Sequence, residues 1–320
     1  MSIRIGADVG GTFTDIVIEL ANGSYSSTKV LTTHNAPEVG ILDGIGRIAA
    51  QENIDLRDIA QIIHGTTLAT NALIERRGAK TALVTTDGFR DVIETRTESR
   101  FEQYDLNIVL PTPLIPRADR HVISERLNAR GEILVPFDEN GAHSLIEHIG
   151  TEGYQSVAVG FIHSYVNPTN ELRFRELLLA ELPNIAVSIS SEVSPQMREY
   201  ERFNTVCANA YVQPLMASYL VRLRDELAAR GATCPLYLIH SGGGLMSVES
   251  AAAFPVRLVE SGPAGGAIFA ADLAARYGRD RVLSYDMGGT TAKIALIEDF
   301  TPATAKRFEV DRTARFKKGS

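Results

Sequence analysis

One short motif with the chemistry to bind phosphate occurs twice in the sequence. It reads Asp-x-Gly-Gly-Thr and spans Asp8–Thr12 near the start and Asp286–Thr290 near the end, with apolar β-type runs on both sides of each copy. Two glycines between such runs predict a tight hairpin. Without Cβ atoms in the way, successive backbone N–H groups can converge on an anion, and the threonine adds a hydroxyl donor. The motif therefore predicts a phosphate-binding turn.

The aspartate of each copy comes at the end of its predicted strand, next to the phosphate-binding turn. Asp8 and Asp286 could hold hydrated Mg²⁺ or orient an attacking oxygen, and with Thr12 they are the candidate catalytic residues. A single copy is equally well explained as a tight hairpin without a ligand, but two copies with matched strands favour two hairpins that clamp the phosphates of one nucleotide. The candidate phosphate-binding residues are Gly10, Gly11, Thr12, Gly288, Gly289, Thr290 and Thr291. Neither a P-loop nor a dinucleotide-binding glycine motif occurs.

A second group of polar residues lies at the end of the predicted strand Gln61–His64 and just after it. His64, Thr66 and Thr67 come just before a predicted helix, whose free N–H groups favour an anion. Asn71 follows Thr67 by four residues and so shares its helical face. A plain helix cap is the alternative explanation for the threonines. We predict that this group contributes to a substrate or phosphate site.

Three further features are weaker candidates. Gly265 and Gly266 precede an alanine-rich helix and permit close approach of a ligand, although tight helix packing would need them equally. Arg90 could bind a substrate carboxylate, or it could simply face solvent. Lys293 follows the second motif and could neutralise phosphate charge or lie exposed on its strand.

The elements that must position these residues alternate between β-branched runs and amphipathic helical stretches, which is typical of the α/β class. The predicted strands are Arg4–Asp8, Asp15–Glu19, Gln61–His64, Thr81–Thr85, Val157–Phe161, Ala186–Ile189, Leu236–His240, Val282–Asp286 and Lys293–Ile297. The predicted helices are Glu38–Glu52, Thr67–Arg77, Asn140–Gly150, Pro168–Leu182, Phe203–Arg230 and Ala264–Tyr277. A long connection, 96–120, carries three prolines and could cover a site or be a passive excursion.

Composition excludes several other classes of protein. The chain has 320 residues, a net charge of −7 and 44% hydrophobic residues, so it has material for a core but no positive field to hold nucleic acid. Its two cysteines, Cys207 and Cys234, lack the spacing of a zinc site. No leader peptide or apolar run of membrane-spanning length is visible. We therefore expect a soluble cytoplasmic protein without a membrane or nucleic-acid partner.

Five ordered motifs together resemble those of the hydantoinase/oxoprolinase A family. They are Asp8–Asp15 (DVGGTFTD), His64–Leu73 (HGTTLATNAL), Thr85–Asp91 (TTDGFRD), Glu260–Gly266 (ESGPAGG) and Asp286–Thr291 (DMGGTT). The paired glycine hairpins are also the signature of the superfamily that contains actin, sugar kinases and heat-shock chaperones. The resemblance implies the two-domain, ribonuclease H-like fold of that superfamily. We expect an N-terminal domain over 1–195 and a second domain over 196–320, which the resemblance implies is incomplete.

The resemblance also implies an activity. The family contains ATP-dependent 5-oxoprolinase, N-methylhydantoinase and carboxylase subunits that act on acetone or acetophenone. The implied function is ATP- and Mg²⁺-dependent hydrolysis of a cyclic amide, in complex with a B-type hydantoinase subunit. A carboxylase subunit, a small-molecule kinase and a non-catalytic nucleotide-binding fragment remain as alternatives.

Overall fold

The three-dimensional structure is a computed structural model that describes residues 2–33, 35–97, 101–102, 104–287, 292–305 and 307–310. The strands are β1 (Ile3–Val9), β2 (Phe13–Glu19), β3 (Tyr25–Leu31), β4 (Ile59–Thr66), β5 (Thr81–Thr86), β6 (Arg120–Ile123), β7 (Arg126–Leu127), β8 (Ile133–Val135), β9 (Ser156–Gly160), β10 (Ala186–Ile189), β11 (Leu236–Ile239), β12 (Leu245–Ser247), β13 (Arg281–Met287), β14 (Ala292–Glu298) and β15 (Thr301–Pro302). The helices are α1 (Pro37–Glu52), α2 (Leu68–Ile74), α3 (Val92–Thr95), α4 (Glu139–Thr151), α5 (Thr169–Glu181), α6 (Ser190–Val193), α7 (Glu199–Ala229), α8 (Val248–Ala253) and α9 (Ser261–Arg276). The α/β class is confirmed.

Each predicted strand and helix is present, with ends that differ by a few residues. The sequence analysis missed β3 because its residues 26–29 are all polar and its burial is slight, as befits a strand at the edge of a sheet. It also placed the start of α7 at Phe203, whereas the helix begins at Glu199. In the described part of the 96–120 connection, helical structure is confined to a short 3-10 turn, Arg117–Asp119.

The chain divides into two units, and each contains two stretches of sequence. Unit 1 comprises residues 1–71 and 216–308, and unit 2 comprises residues 72–215 with the described residues after Phe308. The chain passes between units inside α2 and inside α7, a continuous helix that contains Pro214 two residues before Met216. The predicted division at 195/196 was placed at the polar cluster of residues 190–195 before the long helix, and it remains a prediction.

The large sheet of unit 1 has the strand order β12-β11-β4-β1-β2-β3. Alternation of buried and exposed side chains explains why its strands form. In β1, Ile5, Ala7 and Val9 are buried, while the intervening residues face outward, as a period of two requires. β1, β2 and β3 form an antiparallel meander, whereas β4 and β11 run parallel to β1. Parallel pairing brings the ends of β1 and β4 to the same edge of the sheet.

Helix α1 covers one face of this meander with a stripe of isoleucines. Ile41, Ile45 and Ile48 recur at helical spacing and are fully buried. Gly44 allows the close approach, because a Cβ there would lie 2.6 Å from Cγ1 of Ile16 on β2. Unit 1 also contains a smaller antiparallel sheet, β13-β14-β15, with α9 packed against it.

Unit 2 is built on a parallel sheet with the strand order β10-β9-β5-β6. Its two central strands, β5 and β9, are continuously buried, as is usual when helices cover a parallel sheet. Phe161, Phe174 and the isoleucines of α4 contribute to a core between this sheet and α4 and α5. Across the described residues, every helix is too short or too polar to cross a membrane.

Candidate functional site

The first glycine motif forms the predicted hairpin turn between β1 and β2. Asp8 pairs with Asp15 and Val9 with Thr14, which leaves residues 10–13 as the turn. Thr32, just after β3, holds this turn: its N–H donates to the Thr12 carbonyl oxygen and its hydroxyl donates to the Gly10 carbonyl oxygen, both at 3.0 Å. No acceptor among the described residues contacts the N–H groups of Gly11 and Thr12. Those two donors are therefore available to an anion.

The start of α2 lies against the same turn. The Thr67 hydroxyl donates to the Val9 carbonyl oxygen at 3.1 Å, and the Asn71 amide donates to the Thr67 hydroxyl at 3.3 Å. A small opening of about 40 Å³ is lined by Gly10, Gly11, Thr67 and Asn71, among other residues. The structure thus brings together part of both predicted groups, because β1 and β4 are parallel neighbours whose ends meet.

Asp8 lies beside Gly65 on β4, its partner across the parallel strands. A Cβ at Gly65 would lie 2.7 Å from Oδ1 of Asp8, so glycine makes room for the carboxylate. Asp8 faces outward from the sheet, but neighbouring protein atoms take its carboxylate partly out of water, and this desolvation raises its pKa. The negative charges of Asp15 and Asp286 raise it further. A cation bound beside Asp8 would offset this repulsion.

The donor set fits Mg²⁺ bound together with phosphate oxygens. Mg²⁺ prefers one or two carboxylates and keeps several water or phosphate oxygens. Among the residues that the structure describes, no three metal-ligating side chains cluster closely enough to hold an ion by themselves. Asp8 and Asp286 would therefore supply only part of the coordination, and water and phosphate oxygens would supply the rest.

The second hairpin matches the first in register. Asp286 pairs with Lys293 and Met287 with Ala292, so four residues again separate the last paired positions. Gly288, Gly289, Thr290 and Thr291 lie outside the described residues, and their predicted phosphate contacts remain predictions. Lys293 forms an ion pair with Glu260, so its positive charge already has a partner.

Helix α9 begins next to the first turn of α2 and the last residue of β4. The Ser261 hydroxyl donates to the Thr66 carbonyl oxygen at 3.4 Å, and the Glu260 N–H donates to the Thr70 hydroxyl at 3.2 Å. In the first turns of this helix, Gly265 has room for a methyl group in ordinary contact with Ile239, and Gly266 faces open space. Packing therefore does not require either glycine, and their predicted role in cofactor binding remains a prediction.

His64 is fully buried and has both ring nitrogens engaged. Nδ1 lies 3.0 Å from the Ala7 carbonyl oxygen and must therefore donate, so Nε2 accepts the Tyr219 hydroxyl proton at 2.7 Å. Burial lowers the pKa of His64 to about 4 and keeps the ring neutral. A contact with substrate would have to replace one of these bonds. Thr66 is also buried, and its hydroxyl accepts the Leu68 N–H at 3.2 Å.

Arg90 belongs to unit 2, between β5 and α3, whereas the other candidates belong to unit 1. Three participants in the site were not singled out from the sequence: Thr32, Gly65 and Tyr219. Gly65 stands inside a quoted motif, but Thr32 and Tyr219 come from distant parts of the chain with no local signal. Only the folded sheet and α7 bring them to the turn and to His64.

Comparison with known proteins identifies relatives along nearly the whole chain. Residues 4–182 match the family described as Hydantoinase/oxoprolinase N-terminal region, and residues 202–317 match the one described as Hydantoinase/oxoprolinase. An uncharacterized protein of Methanocaldococcus jannaschii is 37% identical over all of this chain and 48% of its own length. The caprolactamase subunit alpha of Pseudomonas jessenii is 34% identical over 92% of this chain and 43% of its own.

Two solved structures share the fold. The ATP-dependent caprolactamase of Pseudomonas jessenii superposes with a TM-score of 0.81 at 33% identity, covering 92% of this chain and 43% of the other. Nucleotide-free acetone carboxylase superposes with a TM-score of 0.82 at 25% identity, covering 93% and 44%. The predicted actin- and sugar-kinase-like fold is confirmed. The chain spans less than half the length of each of these relatives.

Proposed function

Because this chain belongs to the hydantoinase/oxoprolinase family, we propose that it binds Mg-ATP at the glycine hairpin of unit 1 and takes part in ATP-dependent hydrolysis of a cyclic amide. One observation carries the proposal: the strand pairs that flank the two Asp-x-Gly-Gly-Thr motifs have equal registers, and Asp286 is close enough to contribute to the raised pKa of Asp8. Relatives named for ATP-dependent caprolactam hydrolysis support the choice of a cyclic amide.

The chemistry required of the residues is positioning and charge neutralisation. An amide carbonyl is a poor electrophile. Transfer of the terminal phosphoryl group of ATP to its oxygen, with ADP as the leaving group, would open the carbonyl carbon to attack by water and give it a phosphate leaving group. The N–H groups of Gly11 and Thr12 would hold phosphate oxygens, and the Thr12 hydroxyl would add a donor. Asp8 and Asp286 would hold Mg²⁺, which supplies neutralisation of phosphate charge when it is bound.

Partner chains belong to the same proposal. The caprolactamase relative is named as a subunit, and we expect this chain to work with a second, B-type chain that completes ring opening. A carboxylase subunit is the second candidate function, because acetone carboxylase shares the fold over most of this chain. The two functions differ in whether a lactam or a ketone stimulates ATP turnover.

The test of nucleotide binding is isothermal titration of the chain with Mg-ATP, before and after removal of single carboxylates. Asp8→Asn and Asp286→Asn should each weaken Mg-ATP binding by about tenfold or more, because each removes a negative charge that faces the cation. Asp43→Asn, on the exposed face of α1, is the matched control and should bind as the wild type does. Equal affinities in all of these proteins would rule out the two-hairpin clamp.

The reaction is tested by phosphate release with 5-oxoproline, hydantoin, caprolactam or acetone, with and without a B-type chain. Stimulation by a lactam or hydantoin supports hydrolysis of a cyclic amide. Stimulation by acetone alone would replace it with the carboxylase function. Nucleotide binding without turnover in any mixture would contradict the proposed reaction while leaving the nucleotide site intact.

A further inference from the structure

A buried acidic side chain lies beside the nucleotide site and has no part in the clamp described above. Glu38 is the second residue of α1, directly after Pro37, and only 7% of its surface is exposed. Pro37 lines the same small opening as Gly10 and Gly11. A carboxylate one residue from this opening repels phosphate unless another charge offsets it.

The two carboxylate oxygens of Glu38 differ in their contacts. Oε1 accepts a hydrogen bond of 2.8 Å from Nε of Arg222 on α7. Oε2 is buried too, and no described residue donates a hydrogen bond to it. Such an oxygen is uncommon, because burial removes its water without supplying a partner. Neutralisation of Glu38 by the described residues therefore depends on its ion pair with Arg222.

Arg222 is oriented by its own helix. Its Nη1 donates to the Ser218 hydroxyl, one turn earlier on α7, at 2.5 Å. About half of the Arg222 side chain is exposed, so water still solvates the guanidinium while Nε bonds to Glu38. This arrangement neutralises a buried acid at a smaller desolvation cost than two buried charges would require.

The ion pair borders the network that supports β1. Burial raises the pKa of the Tyr219 hydroxyl, the negative charge of Glu38 raises it further, and the positive charge of Arg222 lowers it. Tyr219 donates to His64, and His64 donates to the Ala7 carbonyl oxygen on β1. Both charges of the pair are thus close enough to act on a residue of this network.

The start of α1 is also tied to the segment that holds the glycine turn. The Thr33 hydroxyl donates to the Ala36 carbonyl oxygen at 2.5 Å and accepts the Gly40 N–H at 3.2 Å. Thr32, the preceding residue, donates to the Gly10 carbonyl oxygen at 3.0 Å. The position of Glu38 and the position of the turn therefore depend on neighbouring residues of one short segment.

We propose that Arg222 sets the affinity of the nucleotide site by neutralising Glu38. The inference rests on the proposed function, because it concerns phosphate binding at the same turn. While Arg222 holds Glu38, the opening has a neutral pair beside it, and phosphate can approach the N–H groups of Gly11 and Thr12. Glu38 and Arg222 are positioning residues, since they act through charge without touching the phosphate.

The test is isothermal titration of the full chain with Mg-ATP, because charge neutralisation predicts opposite effects for the two partners. Arg222→Gln should weaken Mg-ATP binding by about fivefold or more, since the charge of Glu38 then repels phosphate. Glu38→Gln should strengthen binding by about twofold or more, because the amide is uncharged and Arg222 keeps its charge. Structural damage by itself would weaken binding in both variants.

A double variant tests whether the two effects share one cause. Arg222→Gln combined with Glu38→Gln removes both charges and should bind Mg-ATP within about twofold of wild type. Arg222→Lys keeps the positive charge and should stay within about threefold of wild type. If the role of Arg222 were only to fill space, neither variant would recover the affinity.

The matched control lies two residues further along the same helix. Arg224 forms an exposed ion pair with Asp225, so Arg224→Gln removes the same charge from α7 without uncovering Glu38. Its affinity for Mg-ATP should stay within about twofold of wild type. Thermal unfolding of every variant shows that each one is folded at the temperature of the titration.

Each outcome decides the question. Opposite shifts in the two single variants, with recovery in the double variant, support the inference. Equal weakening in both, no change in either, or a double variant weaker than Arg222→Gln overturns it and leaves the nucleotide site intact. Absence of Mg-ATP binding by the wild-type chain would overturn the proposed nucleotide site and this inference together, so the two failures are distinguishable.

Discussion

At the scale of single residues, the nucleotide site depends on space as much as on charge. Gly65 is needed because the Asp8 carboxylate occupies the volume that a side chain there would take. Thr32 is needed because two of the turn carbonyls bond to it, which leaves the N–H groups of Gly11 and Thr12 free to face an anion. Neither requirement is visible from the composition of the motif alone.

Gly65→Ala should weaken Mg-ATP binding by about tenfold, because the new Cβ would displace Oδ1 of Asp8 from its position. The measurement is titration calorimetry on protein whose fold has been checked by thermal unfolding. Gly46→Ala is the control: it is exposed on α1, nothing lies within 4 Å of the new Cβ, and the change should stabilise the helix by about 0.5–1 kcal/mol. Nucleotide affinity as strong in Gly65→Ala as in Gly46→Ala would show that the position of Asp8 is unimportant.

At the scale of elements, His64 joins two strands to the part of helix α7 that belongs to unit 1. Its ring donates to Ala7 on β1 and accepts from Tyr219 on α7, while its own backbone belongs to β4. Burial raises the pKa of the Tyr219 hydroxyl, so the group stays protonated and can donate. This interaction stabilises the platform that carries the glycine hairpin.

The folded protein should therefore lose stability as the pH falls, because the buried His64 ring resists protonation. The unfolded histidine takes up a proton near pH 6.5, whereas the folded one resists until about pH 4, so protons favour the unfolded chain between those values. The free energy of unfolding should decrease by up to about 3 kcal/mol between pH 7 and pH 4 from this group. Urea unfolding of wild type and His64→Gln across this range gives the difference, and equal pH slopes for the two proteins would contradict the assignment.

At the scale of the whole molecule, no described residue covers one apolar face of the β13-β14 pair. In the β13-β14 pair, Leu283 lies opposite Leu296 and Tyr285 opposite Ile294, and all four are about half or more exposed. The other face of these strands packs against α9, where Ile297 is fully buried. Contiguous apolar patches of this kind are uncommon on free protein surfaces.

This face should bind a dye that fluoresces on contact with exposed apolar surface. We expect anilinonaphthalene sulfonate to fluoresce with the wild-type chain and much less with the double variant Leu283→Lys/Ile294→Lys. Leu106→Lys replaces a leucine that is 97% exposed in unit 2 and should leave the signal unchanged. A signal that survives the double variant would show that the dye binds elsewhere.

The sequence alone determined the elements whose causes are local. The strands β1, β2, β13 and β14 follow from alternation, and the glycine turn between β1 and β2 follows from residues that tolerate tight backbone geometry. These features predicted the α/β class, the repeat and the phosphate site, because each depends on residues within a few positions of one another.

Only the tertiary structure decided which distant residues meet. Thr32 reaches the first turn because it follows a polar edge strand, and Tyr219 contacts His64 although 155 positions separate them. In unit 2, residues 88–97 and residues 198–201 line the same opening of about 380 Å³. Arg90 was singled out by residue type alone, and its predicted role in substrate binding remains a prediction. Such contacts depend on strand order and helix packing, which no local pattern specifies.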